Sequence, residues 1–137
     1  MLLETGVKYR GAIIVDAGGI PVPKSTVGSK FKDIGFSDVE IWSDPEQLPE
    51  DWPDEDRQDD APFLFQQFWA EGTWNLPPAE AVMKGPGWSI AWIRKIGSSE
   101  VVPGSKSVTP SGYGWIVPTL MIGMFALVTA IHVKGSK

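Results

Sequence analysis

Nine of the seventeen acidic residues of this 137-residue chain fall between Asp44 and Asp60, and Arg57 is the one base among them. Carboxylates at that density can share a proton or cage a hard cation, but each use needs a second feature beside them. The run Asp54-Glu-Asp-Arg-Gln-Asp-Asp lacks the turn glycine and terminal bidentate glutamate of a calcium loop, so specific calcium binding is not expected. Ala17-Gly18-Gly19 lacks the lysine and hydroxyl of a phosphate loop. There is no cysteine, which excludes disulfides, thiolate metal sites and a cysteine nucleophile. The single histidine, His132, closes the most apolar part of the chain, away from any soluble active site. Taken together these residues predict a protein without catalysis or a metal site.

His132 leaves two readings open. A neutral imidazole can ligate the magnesium of a chlorophyll or a haem iron. It can equally cap the end of a helix at a membrane surface. The first reading makes His132 and the nearby Phe125 pigment contacts, with chlorophyll or carotenoid lying along that side.

The element that would carry them is Gly114 to Val133, twenty residues without a charged side chain. At about 1.5 Å per residue such a helix is roughly 30 Å long, the thickness of a bilayer's hydrocarbon core. Tyr113 and Trp115 flank one end, and His132, Lys134 and Lys137 the other, as interfacial side chains do. The run predicts a transmembrane helix at 114–133. At about 100° per residue, Thr119, Gly123, Ala126 and Ala130 share one narrow seam, which suits close packing against another helix, with His132 on the opposite side.

Ahead of that run, residues 1–43 read as short extended segments broken by turn residues, a β-rich extramembrane piece in which Pro21 and Pro23 exclude a central strand. Residues 44–61 form an acidic, proline-rich loop. Leu48 and Trp52 give it two apolar anchors, which fits either a solvated linker or a belt laid on a basic neighbouring subunit. Residues 62–96 are aromatic-rich. Ala61 to Trp74 suits a short helix presenting Phe65, Phe68 and Trp69, and Trp88 to Lys95 a strand with Trp88, Ile90 and Trp92 on one face. Residues 97–113, rich in Ser, Gly and Pro, read as a hinge. The expected fold class is thus a small β-rich, loop-heavy extramembrane N-terminal domain plus one C-terminal transmembrane α-helix.

The net charge is −5, yet outside residues 44–60 bases outnumber acids. No basic aromatic surface suggests nucleic-acid binding. No secretory signal is recognisable at Met1-Leu-Leu-Glu-Thr, so the N-terminal domain is expected on the side of synthesis or import.

The Trp-rich stretch Phe63 to Trp92, the Gly-Tyr-Gly-Trp entry at Gly112 to Trp115 and the ending Ala130-Ile-His-Val-Lys134 together cover under half the chain. In layout they resemble small single-span accessory subunits of photosynthetic complexes, most like the added photosystem I subunits of algae. The resemblance implies a thylakoid location, a stromal or cytoplasmic N-terminal domain, and contacts with core and antenna subunits, lipid and pigments. Seven tryptophans and six phenylalanines suit a structural subunit that stabilises a large membrane complex. Leu48, Trp52, Phe65 and Trp69 are its candidate partner-binding residues. Two other readings stay open: an accessory subunit of a respiratory complex, and a membrane-tethered docking module whose acidic loop binds a basic soluble partner.

Overall fold

The computed structural model describes residues 1–108. In chain order the elements are β1 (Leu2–Leu3), β2 (Lys8–Asp16), α1 (Lys24–Ile34), β3 (Phe36–Trp42), β4 (Phe65–Trp74), β5 (Ala79–Glu80), β6 (Lys84–Gly85), β7 (Trp88–Lys95) and β8 (Val102–Pro103). Two 3-10 turns, Pro45–Gln47 and Asp54–Arg57, lie between β3 and β4. The main sheet is antiparallel and runs β3-β4-β2-β7-β6, with β8 also paired to β7; β1 pairs with β5 separately.

Strand β2, KYRGAIIVD, is central and covered on both faces, which explains its continuous run of apolar residues from Ala12 to Val15. Helix α1 packs on one face over Ile13, Val15, Phe68 and Trp88, using Val27, Phe31 and Ile34. Tyr9, Trp74, Ile93 and Leu3 form a neighbouring cluster. The opposite face carries Ala12, Ile14, Trp69 and Ala91 and is covered by residues 43–61, with Leu48 and Trp52 in that cluster. Edge strand β3 is broken by a register shift between Ser37 and Glu40, with Asp38 at φ 51, and so is poorly shaped for pairing with another sheet.

The described fold differs from the expected class. Among the described residues there is one α-helix, eleven residues long, and no helix is long and apolar enough to cross a membrane. At about 1.5 Å per residue α1 reaches only about half the thickness of a hydrocarbon core. It also carries Lys24, Lys30, Lys32 and Asp33. What is described is a β-rich domain with a single short helix. Residues 114–133, where the span was expected, lie outside the described residues.

Four further expectations change. Helix α1 sits inside the stretch read as extended segments; Val27, Phe31 and Ile34 have helical spacing, and Gly35, at φ 128, ends the helix where a Cβ would meet Leu76 Cδ1 at 2.5 Å. The aromatic run expected as a short helix is strand β4, buried on both faces, with Phe65 and Trp69 on one side and Phe68 on the other. Strand β7 does not keep its aromatics on one face. Ala12 pairs with Trp92 but Ile13 with Ile90, so a bulge at Ala91 leaves Trp88 and Ile90 under the helix and turns Trp92 to the other side. The stretch read as a hinge contributes β8 and the buried Val108.

Lys30 is 2 % exposed, and burial lowers its pKa to about 8, with Asp33 acting in the opposite direction. Unfolding restores the ordinary value of 10.5, so between these two pH values the unfolded chain binds more protons and stability rises with pH. The melting temperature of the native chain should therefore gain on that of Lys30→Met between pH 8 and pH 10.5. Parallel pH profiles for the two proteins would sink this assignment.

Candidate functional site

The face opposite α1 is built in rows. Register places Glu40 beside Glu71, Glu71 beside Arg10 and Arg10 beside Arg94, so four charged residues cross four strands in line. Two residues along each strand the side chains return to the same face. The next row is therefore Trp42, Trp69, Ala12 and Trp92. Ala12 is its smallest member, and Trp52 joins the same cluster from the covering segment. The Trp52 ring lies edge-on to Trp42, with centroids 5.6 Å apart, and to Trp92 at 6.1 Å, while the Arg10 guanidinium sits 4.4 Å from its centroid.

The acidic segment 44–61 is thus an ordered belt, and its single base organises it. Arg57 donates from Nη1 to the carbonyls of Pro45 at 2.9 Å and Leu48 at 3.4 Å, from Nη2 to Pro49 at 2.7 Å and from Nε to Trp52 at 3.1 Å. The Asp44 carboxylate accepts the Glu46 backbone N–H and starts the first turn. Two arginines of the sheet then fasten the belt down. Arg10 Nη2 lies 2.9 Å from both Asp51 and Glu71, and Arg94 pairs with Asp56. The Trp69 indole N–H donates to the Asp56 carbonyl at 2.8 Å, and the Gln67 amide bonds Gln58 and Asp60 at 2.7 Å each.

Burial and charge act against each other here. Burial raises the Asp56 pKa above the usual carboxylate range, with Arg94 pulling it back. The hydrogen bond from Arg10 holds Asp51 below that range. For Arg10 burial disfavours the charge, but the bonds to Asp51 and Glu71 outweigh it and its pKa rises.

The belt's outer surface has the opposite character. Glu46, Glu50, Asp54, Glu55 and Asp59 are exposed and belong to none of the ion pairs among the described residues. Asp51 and Asp60 are also exposed but face Arg10 and Lys106. Such a surface can attract and orient a cationic partner. On the helix face, by contrast, a cavity of about 40 Å³ beside Gly11, Ala70 and Gly72 has room for little more than a water.

Of the candidate residues, Leu48, Trp52 and Trp69 are brought together, and Phe65 packs against their cluster. Leu48 and Trp52 do anchor the acidic segment, and the surface they grip is the chain's own sheet. Thr119, Gly123, Ala126, Ala130, Phe125 and His132 lie outside the described residues. Sequence reasoning passed over Arg10, Arg94 and the structural use of Arg57. A solitary base among nine acids was the available signal for Arg57, whereas Arg10 and Arg94 look like ordinary strand residues until register aligns them. No protein-family model, curated protein or solved structure matches this chain.

Proposed function

We propose that the chain is a non-catalytic docking subunit that receives a basic protein partner on the acidic belt. The observation that carries this reading is the division of charge on one face. Arg10 and Arg94 are taken up beneath the belt and Arg57 within it, while five carboxylates remain exposed above. A held array of like charges steers encounter and sets orientation more effectively than the same charges on a free chain. Within a larger assembly such a protein acts as an accessory subunit. The residues that resemble photosystem I subunits are 112–134, outside the described residues, and aromatics of which Trp69, Trp74 and Trp88 are buried in the chain's own core, whereas the acidic belt, residues 44–61, shares no residue with either.

The test is crosslinked co-purification from the native host with the full chain and with a variant carrying Glu46→Gln, Glu50→Gln, Asp54→Asn, Glu55→Gln and Asp59→Asn. Retention of the partner by the native chain should fall on the order of tenfold between about 0.1 M and 1 M salt, as the screening length shrinks from about 10 Å to 3 Å. At low salt the variant should behave as the native chain does at high salt. Equal retention by both chains at low salt overturns the reading.

A further inference from the structure

The belt runs through Asp59 and Asp60 directly into a tight turn, Pro62 to Phe65, closed by the Phe65 N–H donating to the Pro62 carbonyl at 2.9 Å. Leu64 occupies the third position of that turn at φ 73, where glycine is the undemanding choice. Phe63 is 90 % exposed, Leu64 50 %, and Ile20 from the neighbouring loop 54 %. The two loops are joined. Gly19 N–H reaches the Leu64 carbonyl at 3.4 Å, and the Gln66 amide bonds both the N–H and the carbonyl of Val22. The strained backbone at Leu64 and three large apolar side chains held in water work against the stability of the domain alone.

We infer that Phe63, Leu64 and Ile20 are the anchor of the docking face, and that they seat in an apolar pocket rimmed by lysine or arginine on a protein partner. The inference rests on the docking reading and adds where the tight contact lies. Interfaces concentrate their affinity in a few aromatic or apolar side chains within a polar surround that excludes water. Here the surround continues the acidic belt, because Asp59 is exposed beside the turn and, among the described residues, Asp60 pairs only with Lys106. A basic rim complements it. A second copy of this tip would bring Asp59 against its own counterpart, and anionic lipid headgroups would be repelled by the belt.

The test places a photocrosslinking benzoylphenylalanine at position 63 of the full chain in its native host, alongside Phe63→Ser and Leu64→Gly. The crosslinked peptide should be an apolar segment flanked by Lys or Arg on another protein. Both substitutions should lower partner retention tenfold or more. Phe63→Ser should leave the melting temperature unchanged, and Leu64→Gly should keep or raise it, which separates the tip's use from its contribution to folding. Crosslinks only to lipid, to a second copy, to residues 114–133 of the same chain or to nothing overturn the inference. If belt neutralisation abolishes retention and Phe63→Ser does not, the docking reading stands and the anchor fails; if belt neutralisation has no effect, the docking reading itself fails.

Discussion

Replacing Trp52 by alanine should destabilise the domain by about 3–5 kcal/mol, the usual range for removing a large buried aromatic. The residue is 1 % exposed and lies edge-on to two other indoles with an arginine over its face, so little surrounding structure can close into the space. Against a total stability of about 5–15 kcal/mol, that loss is enough to detach the belt or unfold the domain. Trp52→Phe should behave differently. The Trp52 indole N–H is buried with no hydrogen-bond partner among the described residues, and leaving such a donor unsatisfied costs about 1–3 kcal/mol. Phenylalanine discards the donor and keeps most of the ring, so its loss should be well under half that of alanine. Urea denaturation of the three proteins checks the order. Equal losses for phenylalanine and alanine would show that the indole N–H is satisfied in solution.

Arg94→Ala should cost about 3–5 kcal/mol near neutral pH, because it strands the Asp56 carboxylate in a buried position. Asp56 and Arg94 side chains are 6 % and 11 % exposed, so solvent does little to screen the change. The loss should depend on pH in a defined direction. Burial already raises the Asp56 pKa, and removing Arg94 takes away the largest opposing charge, so it rises further. A carboxyl whose folded pKa lies above its unfolded one favours folding fully below the unfolded pKa and loses that contribution as pH rises through the folded value. The difference between native and Arg94→Ala proteins should therefore be largest at pH 7 and shrink toward pH 4. Adding Asp56→Asn to Arg94→Ala should recover much of the loss at pH 7, whereas a pH-independent loss would assign it to the packing of the arginine stem and its contact with Trp92.

These two positions also mark where the sequence was legible and where it was not. Trp52 and Leu48 stand out as apolar residues in an acidic segment, and composition offers them as anchors beside the alternative of a solvated linker. Their destination does not, because it depends on a row of tryptophans assembled from three strands far apart in the chain. Arg94 and Arg10 carry no local signal at all; pairing register alone brings them beneath the belt. Strand β4 was hard to read for a related reason. A strand covered on both faces loses the polar alternation that marks a half-exposed one, and its aromatics then match helical spacing equally well. The bulge at Ala91 is a property of two strands together, so Trp92 could not be assigned to its face from β7 alone. Helix α1 has the right spacing at Val27, Phe31 and Ile34, but Gly28 inside it and Pro21 and Pro23 just before it obscure the signal.

Arg57 has one more consequence, for how this surface can change over evolutionary time. The four carbonyls it holds lie within twelve positions of it in the chain, and carbonyls are present whatever side chains the belt carries. The course of the belt is thereby set by one arginine, two apolar anchors, the Asp44 turn cap and three paired acids, Asp51, Asp56 and Asp60. The side chains of Glu46, Glu50, Asp54 and Glu55 belong to none of these, so their identities can drift, reverse sign or co-vary with a partner while the sheet beneath keeps its packing; Asp59 differs, because its carboxylate accepts the Ala61 N–H.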